Sequence, residues 1–202
     1  MVLPSPQAYD LAFHLLPEAS KAAYRRVLTA DTLKRIHEAG PGYFNSSGSN
    51  IPLGRGLYAF WGVLALQGDP GVPDFGAEKA RLLRMLAATM HVVYGPDGYP
   101  AEDMGYGTAV GGEVSVLAEA LRRAGLYDPY EDCPRYAAFG RAILHFGQPW
   151  GGALSNTGDH GDGFRTREFV LPRLAHETRD PTLLWLMSTI TYGEPAAVVR
   201  LS

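Results

Sequence analysis

Three Gly-rich segments hold most of the side chains able to bind a ligand or move a proton. The first, GPGYFNSSGSNIPLG at 40–54, supplies Tyr43, Asn45 and Asn50 ahead of a helix expected to begin near Arg55. Neutral amides beside a helix amino terminus can hold a carboxylate or a sugar hydroxyl. Asn45 reads better as a turn or capping residue, whereas for Asn50 binding and capping both fit. The second, YGPDGYPAEDMGYG at 94–107, carries Asp97, Glu102, Asp103 and Tyr106. Asp97-Gly98 marks a turn, and Tyr106 is expected in the loop just before a helix. The third, GQPWGGALSNTGDHGDGFR at 147–165, carries Trp150, Asn156, Asp159, His160, Asp162 and Arg165. A tryptophan among glycines forms a stacking platform for a sugar ring or packs as buried structure.

Asp159, His160 and Asp162 have metal-ligand chemistry, but no further His or Cys cluster completes a site, so loop stabilisation is the expectation and no metal is assigned. His14, His37, His91, His145 and His176 fall in helical patterns and read as ordinary core or surface side chains. There is no G-x-S-x-G elbow, P-loop or dinucleotide fingerprint, which counts against hydrolase triads and nucleotide enzymes. Carboxylates such as Asp97, Glu102 and Asp159 leave an acid and base pair for glycoside hydrolysis open.

These segments need a scaffold, and the composition is that of an ordinary globular protein. The chain has 202 residues, 46% hydrophobic and 19% charged, with a formal net charge of −3. One domain is the default for that length. Neither the charge nor its distribution calls for a polyanion, so nucleic acid is not an expected partner. The single cysteine, Cys133, excludes an internal disulfide and a cysteine-based zinc cluster. The start, MVLPSPQAYDLAFHLL, lacks a basic region and is broken by Asp10 and His14, unlike a signal peptide. Cytoplasmic location is therefore expected of the sequence as it stands, and periplasmic or secreted location if it is a fragment. No apolar run approaches the ~18 residues of a membrane span.

Helical periodicity dominates and no alternating strand pattern stands between turn signals, so the fold is expected to be all-α. Helices are expected at 18–28, 31–38, 55–67, 76–93, 108–124, 134–146, 166–178 and 180–190. In 76–93, Leu82, Leu83, Leu86 and Met90 share one face. Long loops start at residues 40, 94 and 147, a nearly constant step of one helix pair, with shorter turns at 68–75 and 125–132. Sequential antiparallel helices put every second connection at one end, so the long loops are expected to share a rim.

Taken in order, the segments resemble the helical toroid of the heparinase II/III-like and alginate lyase-like polysaccharide lyases. The likeness covers roughly residues 40–190. It rests on S-N ahead of an apolar helix (Ser49, Asn50), P-D-G-Y-x-x-E-x-x-x-Y-G from Pro96 to Gly107, a Pro- and Gly-rich stretch ending G-D at Asp159, and R-D-P-x-L-x-W-L from Arg179 to Leu186. The D-G…E…Y portion is the most specific. The resemblance implies an incomplete α/α toroid of antiparallel helix hairpins over 1–202, without the β-sandwich that follows in the family.

It also implies cleavage of uronate-containing polysaccharide by β-elimination, with no cofactor. In that chemistry a neutral donor offsets the substrate carboxylate so that the C5 proton becomes removable, and Asn50 matches the position. A tyrosine moves the proton, and Tyr106 matches it; a phenol with an ordinary pKa near ~10 needs cations or hydrogen bonds that favour its ionised form. Arg55, Glu102, Trp150, Asn156, His160 and Arg165 are the substrate-binding candidates, the arginines for carboxylate. The expected partner is an acidic polysaccharide or oligosaccharide, with neither nucleic acid nor membrane. A noncatalytic carbohydrate-binding or assembly module is the other reading. A partial toroid would leave faces around Phe60, Trp61 and Leu64 uncovered, so a homo-oligomer or a missing partner domain is expected to cover them.

Overall fold

A computed structural model describes residues 5–39, 50–146 and 170–187, apart from the side chains of Asn50, Pro52 and Met187. Among these the fold is all-α, and the only extended pairing is an isolated antiparallel bridge between Tyr94 and Pro100. The helices are α1 (Pro6–Ala12), α2 (Glu18–Glu38), α3 (Asn50–Leu66), α4 (Gly76–Val93), α5 (Met104–Arg123), α6 (Pro129–Asp132), α7 (Pro134–Phe146), α8 (Val170–Thr178) and α9 (Pro181–Met187). A 3-10 turn, Phe13–Leu15, follows α1. None of the described helices is long and apolar enough to cross a membrane.

The expected helices 76–93 and 134–146 occur with those bounds. Four boundaries differ for identifiable reasons. The expected pair 18–28 and 31–38 is one helix, because Thr29-Ala30 contains no breaker. Helix α3 starts at Asn50 instead of Arg55; proline is tolerated in a first turn, where its missing N–H has no carbonyl to reach, so Pro52 does not delay the helix. Helix α5 starts at Met104, not at 108, capped by Asp103. The Asp128-Pro129 dipeptide opens a short helix inside the expected turn, with Asp128 accepting from the Tyr130 N–H at 3.0 Å. Helix α1 is not announced by the sequence, because Asp10 interrupts its short apolar pattern. Residues 166–169 and 188–190 of the expected last two helices lie outside the described residues.

The chain divides into two compact units. The first holds α1, the 3-10 turn, α2, α3 after Asn50, and α4 to Leu86. Its close contacts are set by small residues and by polar ties: a Cβ on Gly62 would fall 2.1 Å from the Thr32 Oγ1, so α2 and α3 meet there only because Gly62 has none. Arg81 on α4 donates to the Ala39 carbonyl at 2.9 Å and to that of Ile36, satisfying acceptors left over at the end of α2. Tyr9 donates a short hydrogen bond to Asp69, anchoring α1 on the turn after α3. Phe60 is 1% exposed, so the chain covers it; Trp61 and Leu64 are half-buried.

The second unit holds the last two turns of α4 and α5 to α9, with α8 packed against α5, α7 and α9. Its centre is a seam of small residues on α5, Gly107, Gly111 and Ser115, four apart and thus on one face. Tyr94 donates to the Gly107 carbonyl at 3.2 Å, and Tyr136 to that of Gly111 at 2.7 Å. The Ser115 hydroxyl shares the Gly111 carbonyl and lies 2.7 Å from the Tyr136 oxygen. Glycine in a helix costs about 0.5–1 kcal/mol against alanine, but a Cβ on Gly111 would sit 2.9 Å from the Phe139 ring. Burial pushes the Tyr94 and Tyr136 phenols well up, so both stay neutral donors.

Candidate functional site

The segment from 94 to 107 is the part of the expected site that the described residues show in full. Helix α4 ends at Val93, and Pro96 and Asp97 turn the chain, closed by the Gly98 N–H on the Gly95 carbonyl at 2.9 Å. Proline favours the second position of such a turn and aspartate holds the backbone beyond it; here Asp97 Oδ1 accepts from the Tyr99 N–H at 3.2 Å. Gly98 then takes φ +83°, a conformation other residues rarely adopt. Two ladder bonds staple the returning chain, from Gly95 N to Tyr99 O at 2.8 Å and from Ala101 N to Val93 O at 2.7 Å.

Asp103 launches α5. Its backbone is extended, the residue is 2% exposed, and Oδ1 accepts from the Tyr106 N–H at 2.9 Å. That bond satisfies one of the donors a first turn leaves over. Asp103→Ala is expected to lower unfolding stability by roughly 0.5–2 kcal/mol, with Asp103→Asn close to the parent because asparagine caps equally well. Equal denaturant midpoints for parent and alanine variant would show that the cap does not hold this helix end.

Tyr106 therefore stands in the first turn of α5 and not in the loop before it, and this corrects the sequence expectation. It is half-buried, unlike the core tyrosines Tyr9, Tyr94 and Tyr136. Long helical side chains lean toward the amino terminus of their helix, which is the end preceded by exposed Glu102. The partial positive charge of a helix amino terminus favours an anion there. Tyr99, half-buried, sets its ring centroid 5.0 Å from that of Phe146 at the end of α7, the planes tilted by 47°. Tyr99 is absent from the sequence expectation, although the P-D-G-Y spacing carries it, and Asp103, expected as a loop carboxylate, serves as the cap of α5.

Arg55 is half-buried in the second turn of α3. The backbone of Asn50 groups with the second unit, which also contains Tyr106, while its side chain lies outside the described residues. Tyr43, Asn45, Trp150, Asn156, Asp159, His160, Asp162 and Arg165 also lie outside them, as do most of the first long loop and all of the third. Among the described residues no group of three or more His, Cys, Asp or Glu is arranged to hold a metal ion. Chemically, the 94–107 segment offers a phenol and a carboxylate on a backbone braced from both sides. Compared with known proteins, the chain matches no family model, no curated protein and no solved structure, so its chemistry rests on these residues.

Proposed function

We propose that the chain is the helical part of a polysaccharide lyase, an incomplete α/α toroid of antiparallel hairpins that cleaves uronate-containing polysaccharide by β-elimination. The supporting observation is the capped, stapled 94–107 segment, which carries half-buried Tyr106 in the first turn of α5 and exposed Glu102 just ahead of that helix. In this reading Tyr106 moves the C5 proton and protonates the departing glycosidic oxygen, and Asn50 offsets the substrate carboxylate. Arg55 and Arg165 take carboxylates, Trp150 stacks on a sugar ring, and Glu102, Asn156 and His160 complete the binding set.

The test is incubation of the intact chain with alginate, heparan-type and other uronate polymers, following the ultraviolet absorbance of an unsaturated uronate. Growth of that absorbance is the expected result. New reducing ends without it would replace elimination by hydrolysis, with Asp97, Glu102 or Asp159 as the carboxylates. Binding with neither product would leave a noncatalytic carbohydrate-binding module.

A further inference from the structure

The second unit contains a cleft of about 730 Å³ apart from the 94–107 segment. One wall is the face of α7 carrying Ala138, Arg141 and Leu144; the other is the turn from α8 into α9, with Arg179, Pro181 and Leu183. Its size is that of a small-molecule site, and its walls combine apolar carbon with two guanidinium groups.

Arg179 is the informative residue. It follows the last residue of α8, Thr178, and has φ +54°, the one non-glycine residue with positive φ among those described. Helices commonly end on such a residue, but glycine usually occupies it, because the Cβ of any other residue crowds the following carbonyl. The turn needs the conformation, since α9 starts at Pro181. It does not need an arginine. The Arg179 side chain is exposed and makes no ion pair or hydrogen bond among the described residues, so no contact there offsets the strain.

The charges around it separate into committed and available groups. Arg179 also borders a neighbouring depression in which Arg122, Arg123 and Arg173 are engaged by Glu119, Asp128 and Glu177. Within the cleft, Asp180 is held by the Thr182 N–H at 2.9 Å and by its hydroxyl, and forms a long ion pair with Arg141 at 3.6 Å that leaves most of the exposed guanidinium uncommitted. Two cations thus face one occupied carboxylate. Strained backbone held where packing does not demand that side chain is a mark of a binding position.

We propose that this cleft binds a small organic oxyanion, a carboxylate or a sulfate or phosphate ester, with the charged group taken by Arg179 and Arg141 and the carbon body lying on Ala138, Leu144 and Pro181. The site is independent of the lyase reading. The test is thermal unfolding of the intact chain at constant ionic strength with phenyl phosphate or inorganic phosphate, since a ligand that binds the folded state raises Tm. Phenyl phosphate is expected to raise Tm and to bind about tenfold more tightly than inorganic phosphate, the ring adding apolar burial. Arg179→Gly is expected to melt no lower than the parent without ligand, yet to lose about tenfold or more in phenyl phosphate affinity. Arg179→Lys should retain part of the binding. Three results would each overturn the proposal: no shift with phenyl phosphate, equal potency of inorganic phosphate, or undiminished affinity in Arg179→Gly. A clearly lower ligand-free Tm in Arg179→Gly would also do so, by giving the arginine a structural task.

Discussion

Tyr106→Phe is expected to lower kcat on a uronate polymer by about 10²–10⁴-fold while KM changes little, because the substitution deletes the transferable proton and keeps the ring. The fold should survive it. The bond that fixes the start of α5 runs from the backbone N–H of residue 106 to Asp103, and phenylalanine preserves that N–H. Tyr99→Phe is the matched control, a half-buried tyrosine in the same segment whose ring packs against Phe146 and which has no assigned proton transfer. Binding of a uronate oligosaccharide to both variants separates lost chemistry from lost recognition. Full turnover by Tyr106→Phe would remove Tyr106 as an essential acid or base, and an equal loss in Tyr99→Phe would point to disturbance of the segment instead.

The features of this site that were legible in the sequence are those with local causes. Pro96, Asp97 and Gly98 announce their turn because each acts on its own backbone, and the turn is present. The bounds of α4 and α7 are similarly local: Asp74 accepts from the Gly76 N–H at 2.9 Å, and Pro134 begins its helix. The start of α5 was not legible, because Gly105 and Gly107 read as loop. Beyond the Asp103 cap, what holds this start helical is remote: Tyr94 donates to the Gly107 carbonyl, and Tyr136, 25 residues from Gly111, donates to the carbonyl of Gly111. Local periodicity carries no trace of those contacts. The same limit applies to Arg179, whose unusual φ follows from how α8 must turn into α9 and not from its neighbours in the chain.

The stability of the 94–107 segment should depend most sharply on Gly98. A Cβ built there falls 2.4 Å from the Ala138 carbonyl carbon and the Phe139 nitrogen, both backbone atoms of α7 that no rotamer change can move aside. Gly98 also sits at φ +83°, where a Cβ costs about 1–2 kcal/mol by itself. Overpacking adds about 1–3 kcal/mol, so Gly98→Ala is expected to destabilise by about 2–5 kcal/mol, a fall in Tm of roughly 5–20 °C for a chain of this size. Gly125→Ala isolates the backbone contribution, because Gly125 has φ +64° and nothing within 4 Å of its would-be Cβ; it should cost only about 1 kcal/mol. The two variants share one strained conformation and differ in the α7 contact, so the excess in Gly98→Ala measures how tightly the turn is held against that helix. Equal Tm losses would mean that α7 yields to the turn, and the braced presentation of Tyr106 would lose its physical basis. A large excess accompanied by loss of turnover in Gly98→Ala, beside a stable but inactive Tyr106→Phe, would separate the platform from the group that it carries.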